Sequence, residues 1–245
     1  MVEDLKEYLK INAFTAKHYV ENIKRNKFIL DTVLKRIPKE TMEYFRLGVS
    51  RNNSLVSFLK ENNLDLKKAE QLGLIKKNNA DGTYYEFFRS RITIPIISSG
   101  VIVGFSGRRI NENIQPKYLN SDTSFLYDKS CTLYGLWQCL DTILEKRTVI
   151  LVEGYFDMLT LYSYGINNVV ALCGTSLSSY QKTLLTTVAD CVYILLDGDK
   201  AGRDAAKKIS KTLKNSKLIS IPSGDPDEYI KENGIDAFKT LLELP

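Results

Sequence analysis

The chain has 245 residues, of which 44% are hydrophobic, enough to bury the core of one large domain or two small ones. No run of about 18 apolar residues occurs, and the amino terminus lacks the order of a signal peptide. The sequence therefore indicates neither a membrane span nor export, and it predicts a cytoplasmic protein. The four widely spaced cysteines and the single histidine predict no zinc ribbon.

The formal net charge of +5 is unevenly distributed along the chain. Residues 1–130 contain 22 basic and 15 acidic residues, whereas residues 131–245 contain 12 basic and 14 acidic residues. This asymmetry has functional meaning only if the acidic half holds a metal ion and the basic half holds phosphates. The alternative, which applies to any single lysine cluster, is a solvated helix face.

Residues 1 to about 80 are predicted to be mainly helical. Apolar residues recur at helical spacing in Leu55–Leu59 and Leu64–Leu72, and Gly73 is expected to end the second of these helices. We interpret this stretch as a scaffold.

A β-hairpin is predicted next. The β-rich runs Arg91–Ile97 and Val101–Phe105 flank a Ser-Ser-Gly turn signal. Pro95 is expected at an edge or beside a bulge, because proline donates no hydrogen bond to a sheet. Residues 1–130 are therefore predicted to form the smaller, basic α+β subdomain.

Strands and helices alternate in residues 131–245. Continuous apolar runs occur at Val149–Val152, Val169–Leu172, Val192–Leu196 and Leu218–Ile221, with helical stretches between them. Strands that are buried on both faces and connected through helices predict a parallel, doubly wound α/β sheet.

Acidic residues follow three of these four strands at their carboxyl ends, where open parallel sheets bind ligands. They are Glu153, Asp157, Asp197, Asp199, Asp225 and Asp227. Carboxylates gathered at one edge repel one another unless cations lie between them, and an all-oxygen ligand set predicts Mg²⁺ or Mn²⁺ rather than zinc. Each residue taken alone also has a structural interpretation, as a helix-start or turn residue.

The acidic motifs resemble a known module. Glu153–Asp157, Gly174–Ser176, Asp197–Ala206 and Gly224–Asp227 are similar to the Toprim module of DnaG-type primases, topoisomerases and some nucleases. The long third motif is similar to the primase version.

Motifs in the basic half also resemble the primases. Arg91–Ile96, Gly104–Arg108 and Pro116–Ser121 are similar to basic motifs of the smaller subdomain of the primase catalytic core, and Thr41–Val49 is similar to its first segment. The resemblance covers about residues 40–235, and the basic motifs separate primases from other Toprim proteins.

The resemblance implies a DnaG-type (bacterial or phage) DNA primase core that joins ribonucleoside triphosphates into short RNA primers on single-stranded DNA. It implies catalytic roles for Glu153, Asp157, Asp197 and Asp199, metal binding by these residues together with Asp225 and Asp227, and template or nucleotide contacts by Arg91, Arg108, Arg109, Lys117, Tyr118 and Asn120. Glu153 is either a metal ligand or a general base. The implied partner is a replicative helicase or another replication protein.

Two other classes stay open. A Toprim nuclease or topoisomerase-like enzyme would use the same acidic residues, but a topoisomerase also needs a tyrosine nucleophile on a large DNA-gripping domain. A non-catalytic nucleic-acid-binding replication subunit would have little reason to keep so many mutually repelling carboxylates.

Overall fold

A computed structural model gives the positions of residues 2–51, 53–174, 176–222 and 224–242. Thr175, which belongs to the Gly174–Ser176 motif, lies outside these described residues. The chain forms two compact units that divide between Asp128 and Lys129. Within the described ranges, no helix is long and apolar enough to cross a membrane.

The first unit combines helices with a four-stranded antiparallel sheet and a separate two-stranded sheet. Its elements are α1 (Val2–Lys24), α2 (Lys27–Leu34), α3 (Lys39–Tyr44), β1 (Gly48–Val49), α4 (Ser54–Glu61), α5 (Leu66–Gln71), β2 (Ile75–Lys77), β3 (Tyr84–Glu86), β4 (Arg91–Ser98), β5 (Val101–Arg109) and β6 (Tyr118–Asn120). The four-stranded sheet has the order β1-β4-β5-β6. Its core includes the buried side chains of Ile11, Tyr19, Leu59, Phe88 and Phe105.

The predicted hairpin is present as β4 and β5. Its turn uses Ser99 and Gly100, whose φ angles of 49° and 81° are those that two-residue hairpin turns require. β1 pairs with only two residues of β4, so Pro95 lies beyond the paired part, and a β-bulge follows between Ile96 and Ile97. The expected bulge is therefore found, whereas β4 is an inner strand of the sheet that β1 leaves unpaired at Pro95.

Two strands lie in the stretch for which the sequence predicts mainly helix. β1 and β2 are only two and three residues long, too short to show the alternation of apolar and polar residues by which a strand is detected. They form because β4 and β3 pair with them. Gly73 does end α5, as predicted, with a positive φ of 68°.

The second unit alternates helices with the strands of a parallel sheet. Its elements are a short 3₁₀ turn (Lys129–Cys131), α6 (Leu136–Lys146), β7 (Thr148–Val152), α7 (Tyr155–Ser163), β8 (Val169–Ala171), α8 (Ser179–Val188), β9 (Cys191–Ile194), α9 (Lys200–Thr212), β10 (Ser216–Leu218) and α10 (Pro226–Leu241). The sheet has the order β10-β9-β7-β8. Every neighbouring pair of strands is parallel, as predicted.

Strand β7 lies in the centre of this sheet, and Val149, Ile150, Leu151 and Val152 are all fully buried. Because consecutive side chains of a strand point to opposite faces, both faces of the sheet are covered. The fourth strand differs from its predicted position at 218–221. β10 is an edge strand with largely exposed side chains, and of the apolar residues that suggested a strand only Leu218 belongs to it, while Ile219 and Ile221 follow it.

Candidate active site

The first acidic loop lies between β7 and α7. The carbonyl oxygen of Glu153 accepts a hydrogen bond of 2.8 Å from the backbone N–H of Cys173, which joins the ends of two neighbouring strands. Asp157 lies in the first turn of α7, and its Oδ2 accepts a 2.9 Å hydrogen bond from the backbone N–H of Gly154. A Cβ at Gly154 would lie 2.7 Å from that oxygen, so glycine is what allows this contact.

The second acidic loop lies between β9 and α9. Asp199 caps α9 by accepting a 2.7 Å hydrogen bond from the backbone N–H of Gly202. A Cβ at Gly202 would lie 2.2 Å from the carbonyl oxygen of Asp197. The helix can therefore begin this close to Asp197 only with glycine at position 202. The guanidinium of Arg203 donates to the carbonyl of Gly198 and braces the loop from the helix side.

The third acidic loop precedes α10. Asp225 caps this helix, because its Oδ1 accepts a 2.8 Å hydrogen bond from the backbone N–H of Glu228. The backbone N–H of Gly198 donates a 2.8 Å hydrogen bond to the carbonyl of Gly224, where φ is 73°. This bond ties the second acidic loop to the third at one edge of the sheet.

Asp227 has different surroundings from the other predicted ligands. Its side chain is buried, and its Oδ1 accepts a 2.6 Å hydrogen bond from the hydroxyl of Thr160 and forms an ion pair with Lys231. The contact with Thr160 connects α10 to α7, whereas Lys231 belongs to α10 itself.

The remaining five carboxylates form what we call the acidic rim: Glu153, Asp157, Asp197, Asp199 and Asp225. Burial, followed by the negative charges of Asp225 and Asp197, raises the pKa of Asp157 to about 7. The hydrogen bond from Gly154 opposes this increase, and Asp227 adds to it. Burial and the negative charge of its neighbours together thus shift the pKa of Asp157 toward neutrality.

The acidic rim fits a divalent cation in its chemistry. Its charged groups are all carboxylates, the ligands preferred by Mg²⁺ and Mn²⁺, and a cation would remove the repulsion that raises the pKa of Asp157. In the part of the chain that the structure describes, no three histidine, cysteine, aspartate or glutamate side chains are close enough together to enclose a metal ion. The carboxylates of the rim therefore do not form a closed metal cage in this structure.

Capping and metal binding are compatible at these positions. Asp157, Asp199 and Asp225 each bind a helix start through one carboxylate oxygen. A carboxylate has two oxygens, so one can orient the side chain while the other is available for a ligand. The two interpretations that the sequence leaves open for these residues do not exclude each other.

Lys129 is a basic residue of this unit that the sequence analysis missed. Its Nζ lies 3.6 Å from the position that a Cβ of Gly174 would occupy. Burial raises the pKa of the Cys173 thiol; the positive charge of Lys129 opposes this effect and the negative charge of Asp157 adds to it. The charges of Lys129 and Asp157 therefore both act on the Cys173 thiol. Gln181 holds the segment by donating a 3.2 Å hydrogen bond to the Lys129 carbonyl.

In the first unit, Arg91 has a different set of partners from the phosphates expected for it. It is buried, and its guanidinium donates to the carbonyls of Gly107 (3.2 Å), Pro116 (2.8 Å), Lys117 (3.5 Å) and Gln115 (3.2 Å). Arg91 therefore shapes the loop that presents Lys117, which is itself exposed.

The other predicted nucleic-acid contacts lie nearer the surface. Strand register places Tyr118 opposite Arg108, so that Arg108, Tyr118 and Asn120 share one face of the sheet. The guanidinium of Arg108 donates a 2.8 Å hydrogen bond to the Tyr118 hydroxyl, and the Nζ of Lys117 lies 5.9 Å from the centre of the Tyr118 ring. Arg109 forms an ion pair with Glu112.

The fold and the acidic rim define the second unit as a Toprim-like domain, and the family model of that description matches residues 150–230. The model described as DNA primase catalytic core, N-terminal domain, matches residues 18–140, which is half of the chain. This chain therefore belongs to the family of DnaG-type DNA primase catalytic cores, as its motifs predict. Toprim domains of primases generally bind divalent metal ions.

Individual relatives agree with this assignment. The DNA primase of Aquifex aeolicus is 38% identical over 98% of this chain and 49% of its own length. The crystal structure of the zinc-binding and RNA polymerase domains of that primase has a TM-score of 0.91 and 37% identity, over 97% of this chain and 60% of that one. A DnaG primase catalytic domain bound to single-stranded DNA has a TM-score of 0.89 and 28% identity, over 100% of this chain and 84% of that one.

The similarity extends beyond residues 40–235, where the sequence motifs are found, because it includes 98% of the chain. The chain spans half or less of the length of the curated primases that it matches.

Proposed function

We propose that this chain is the catalytic core of an enzyme that joins ribonucleoside triphosphates into short RNA primers on a single-stranded DNA template. The observation that carries this proposal is the position of three acidic loops at the carboxyl ends of neighbouring parallel strands, where burial, followed by the charges of Asp225 and Asp197, raises the pKa of Asp157. The DnaG catalytic domain that was solved with single-stranded DNA supports the choice of template.

We assign Mg²⁺ or Mn²⁺, and not zinc, to the acidic rim, with Asp157, Asp197, Asp199 and Asp225 as ligands. Asp227, whose Oδ1 contacts Thr160 and Lys231, is a less direct candidate. Glu153 lies at the end of the central strand and is a ligand or the general base. When bound, such cations activate the attacking hydroxyl and neutralise the charge of the triphosphate.

Phosphoryl transfer depends above all on the positions of the reacting groups, and we assign the basic residues to this positioning rather than to the chemical step. Arg108 and Lys117 are assigned to phosphates of the template or nucleotide, Tyr118 and Asn120 to sugar or base, and Arg109 to a neighbouring contact. Arg91 is a positioning residue, since its guanidinium holds the loop that carries Lys117. Lys129 is assigned to a nucleotide phosphate beside the rim.

We further propose that residues 1–130 bind the template and nucleotide and that residues 131–245 hold the metals and the reaction. Contacts to a nucleic-acid backbone fix position but do not read sequence. We therefore expect slow, weakly sequence-selective synthesis by this chain, and strong stimulation by a replicative helicase that raises the local concentration of template. The proposed compartment is the cytoplasm, where bacterial DNA is replicated.

Incorporation of labelled ribonucleotides on single-stranded DNA of varied sequence, with Mg²⁺ and with or without a replicative helicase, tests the proposal. We expect short RNA products whose sequence complements the template and whose yield rises with helicase. Cleavage or relaxation of DNA without nucleotides would instead assign the chain to the nuclease or topoisomerase class. Template binding without incorporation would indicate a non-catalytic subunit.

A further inference from the structure

Helix α9 concentrates positive charge within an otherwise acidic unit. Residues 131–245 contain 12 basic and 14 acidic residues, and seven of the 12 basic residues lie between Lys200 and Lys217. Asp204 is the one acidic residue of α9. Helix α10 shows the usual mixture of both signs on its surface. Apart from Asp204, which lies on the same side as Lys200 and Lys207, the charges of α9 are all positive, whereas a merely solvated helix tends to intersperse the two signs.

Four of the basic residues form a straight row, which we call the basic ridge: Lys200, Arg203, Lys207 and Lys211. Their spacing of three, four and four residues places them on one side of the helix. All four side chains are exposed, while the opposite side buries Ala206 and Ile209. At about 1.5 Å per residue, the ridge is about 16 Å long. Among the described residues, no carboxylate forms an ion pair with any of the four.

The basic ridge begins at the acidic rim. Asp199 of the rim caps α9, and Arg203 of the ridge donates to the carbonyl of Gly198 between Asp197 and Asp199. Arg203 and Lys207 also line a groove together with Asp197 and Gly198. The positive row thus runs away from the loop in which two of the metal-binding carboxylates are proposed to lie.

We infer that the basic ridge binds the sugar–phosphate backbone of the RNA–DNA duplex as it leaves the acidic rim. The ridge offers lysine and arginine but no aromatic side chain, so it provides charge for phosphates and nothing on which an unpaired base could stack. Such a surface suits a nucleic acid whose bases are already paired with each other. Its length corresponds to about five phosphates along one strand.

The identity of the duplex rests on the proposed function, because an RNA–DNA hybrid is the product of primer synthesis. Binding of a duplex by the ridge does not depend on catalysis and can be measured without it.

The test compares two double variants of the whole chain with equal loss of charge. Lys207→Ala/Lys211→Ala removes half of the ridge, while Lys146→Ala/Lys239→Ala removes two exposed lysines from α6 and α10 of the same unit. Affinities are measured by fluorescence anisotropy for an RNA–DNA hybrid of about 12 base pairs and for its DNA strand alone, across a range of salt concentrations. Thermal unfolding verifies that both variants fold.

We expect the ridge variant to bind the hybrid about tenfold more weakly at low salt, with a log–log salt slope shallower by about 2. Its affinity for the single strand, and both affinities of the control variant, should change by less than about twofold. Equal weakening in both variants would overturn the inference in favour of a general charge effect, and unchanged hybrid binding by the ridge variant would show that the ridge does not bind the duplex. Equal loss of hybrid and single strand would also overturn it, in favour of a template site.

Failure of the proposed function has a different signature. A chain that incorporates no nucleotides but shows ridge-dependent binding of the hybrid would contradict primer synthesis and support the ridge. An active chain in which the two double variants bind the hybrid with equal affinity would support primer synthesis and contradict the ridge.

Discussion

Two carboxyl groups, one in each unit, have pKa values raised to about 7, for different reasons. Burial raises the pKa of Glu86 in the first unit, and the backbone N–H of Leu55 and the charge of Arg89 oppose that increase. Burial also raises the pKa of Asp157 in the second unit, but there the nearest charges, on Asp225 and Asp197, raise it further. A buried carboxyl group whose neighbours stabilise its ionised form is typical of a scaffold. A buried carboxyl group beside like charges is a candidate position for a cation.

The largest expected effect separates the acidic rim from the buried carboxyl group of the first unit by activity. Asp197→Asn should lower primer synthesis by roughly a hundredfold or more, because a ligand charge is lost at the acidic rim. Glu86→Gln, which removes one carboxylate charge from the first unit, should leave synthesis within about twofold. Ribonucleotide incorporation with saturating Mg²⁺ measures both, and circular dichroism verifies the folds. Full activity of Asp197→Asn would contradict the assignment of the rim.

A second prediction contrasts two arginines of the first unit. Arg91→Ala should lower the free energy of unfolding by about 3 kcal/mol, because it leaves buried carbonyls without the charged donor that now binds them. Arg108→Ala, near the surface, should change it by less than about 1 kcal/mol. Urea denaturation gives both values. Similar decreases in the unfolding free energy of the two variants would show that the buried Arg91 contributes no more to stability than Arg108 does.

The pH dependence of stability provides a third prediction. Because the pKa of Glu86 is raised from 4.5 to about 7, the folded state holds its proton more tightly than the unfolded state does. The stabilisation that protonated Glu86 contributes is complete below pH 4.5, decreases as the pH rises toward 7, and is lost above about pH 7.

Glu86→Gln keeps an oxygen that can accept from Leu55 and removes the titration. The difference in unfolding free energy between this variant and the wild type should therefore grow by on the order of 2 kcal/mol between pH 5 and pH 8, in favour of the variant. Urea denaturation at several pH values measures it. A flat difference would show that Glu86 is ionised in the folded protein throughout this range.

The smallest expected effect concerns the exposed cations of the first unit. Lys117→Ala and Arg108→Ala should each weaken single-stranded DNA binding by about tenfold at low salt and make the salt slope shallower by about 1. Lys77→Ala, an exposed lysine of the same unit, is the control. If all three variants behave alike, the two motif residues contribute only to general charge.

The parallel sheet was predictable because β7, β8 and β9 are buried on both faces and appear as continuous apolar runs. The edge strand β10 was displaced by two residues in the prediction, since an edge strand with exposed side chains needs no such run. The acidic residues were found from their position after the strands. Their division into the rim and the internal Asp227 was not, because it depends on Thr160, far away in the sequence.

The burial of Arg91 was equally hidden from the sequence. Its carbonyl partners at 115–117 come from a loop some 25 residues later, and Gly107 must lack a side chain for the arginine to pass beneath it. Lys129 carries no motif or periodicity, and only the return of the chain places it beside Gly174. Long-range contacts of this kind determine which charged residues are structural and which face a ligand.

The central claim, that the acidic rim binds a divalent cation, is tested most directly by titrating both carboxyl groups by NMR, with and without Mg²⁺. Without the cation, Asp157 and Glu86 should both titrate near pH 7. With Mg²⁺, the pKa of Asp157 should fall below about 5, because the cation replaces repulsion by attraction, while the pKa of Glu86 stays where it was. An Asp157 pKa that does not respond to Mg²⁺, or an equal response of the two groups, would contradict the account.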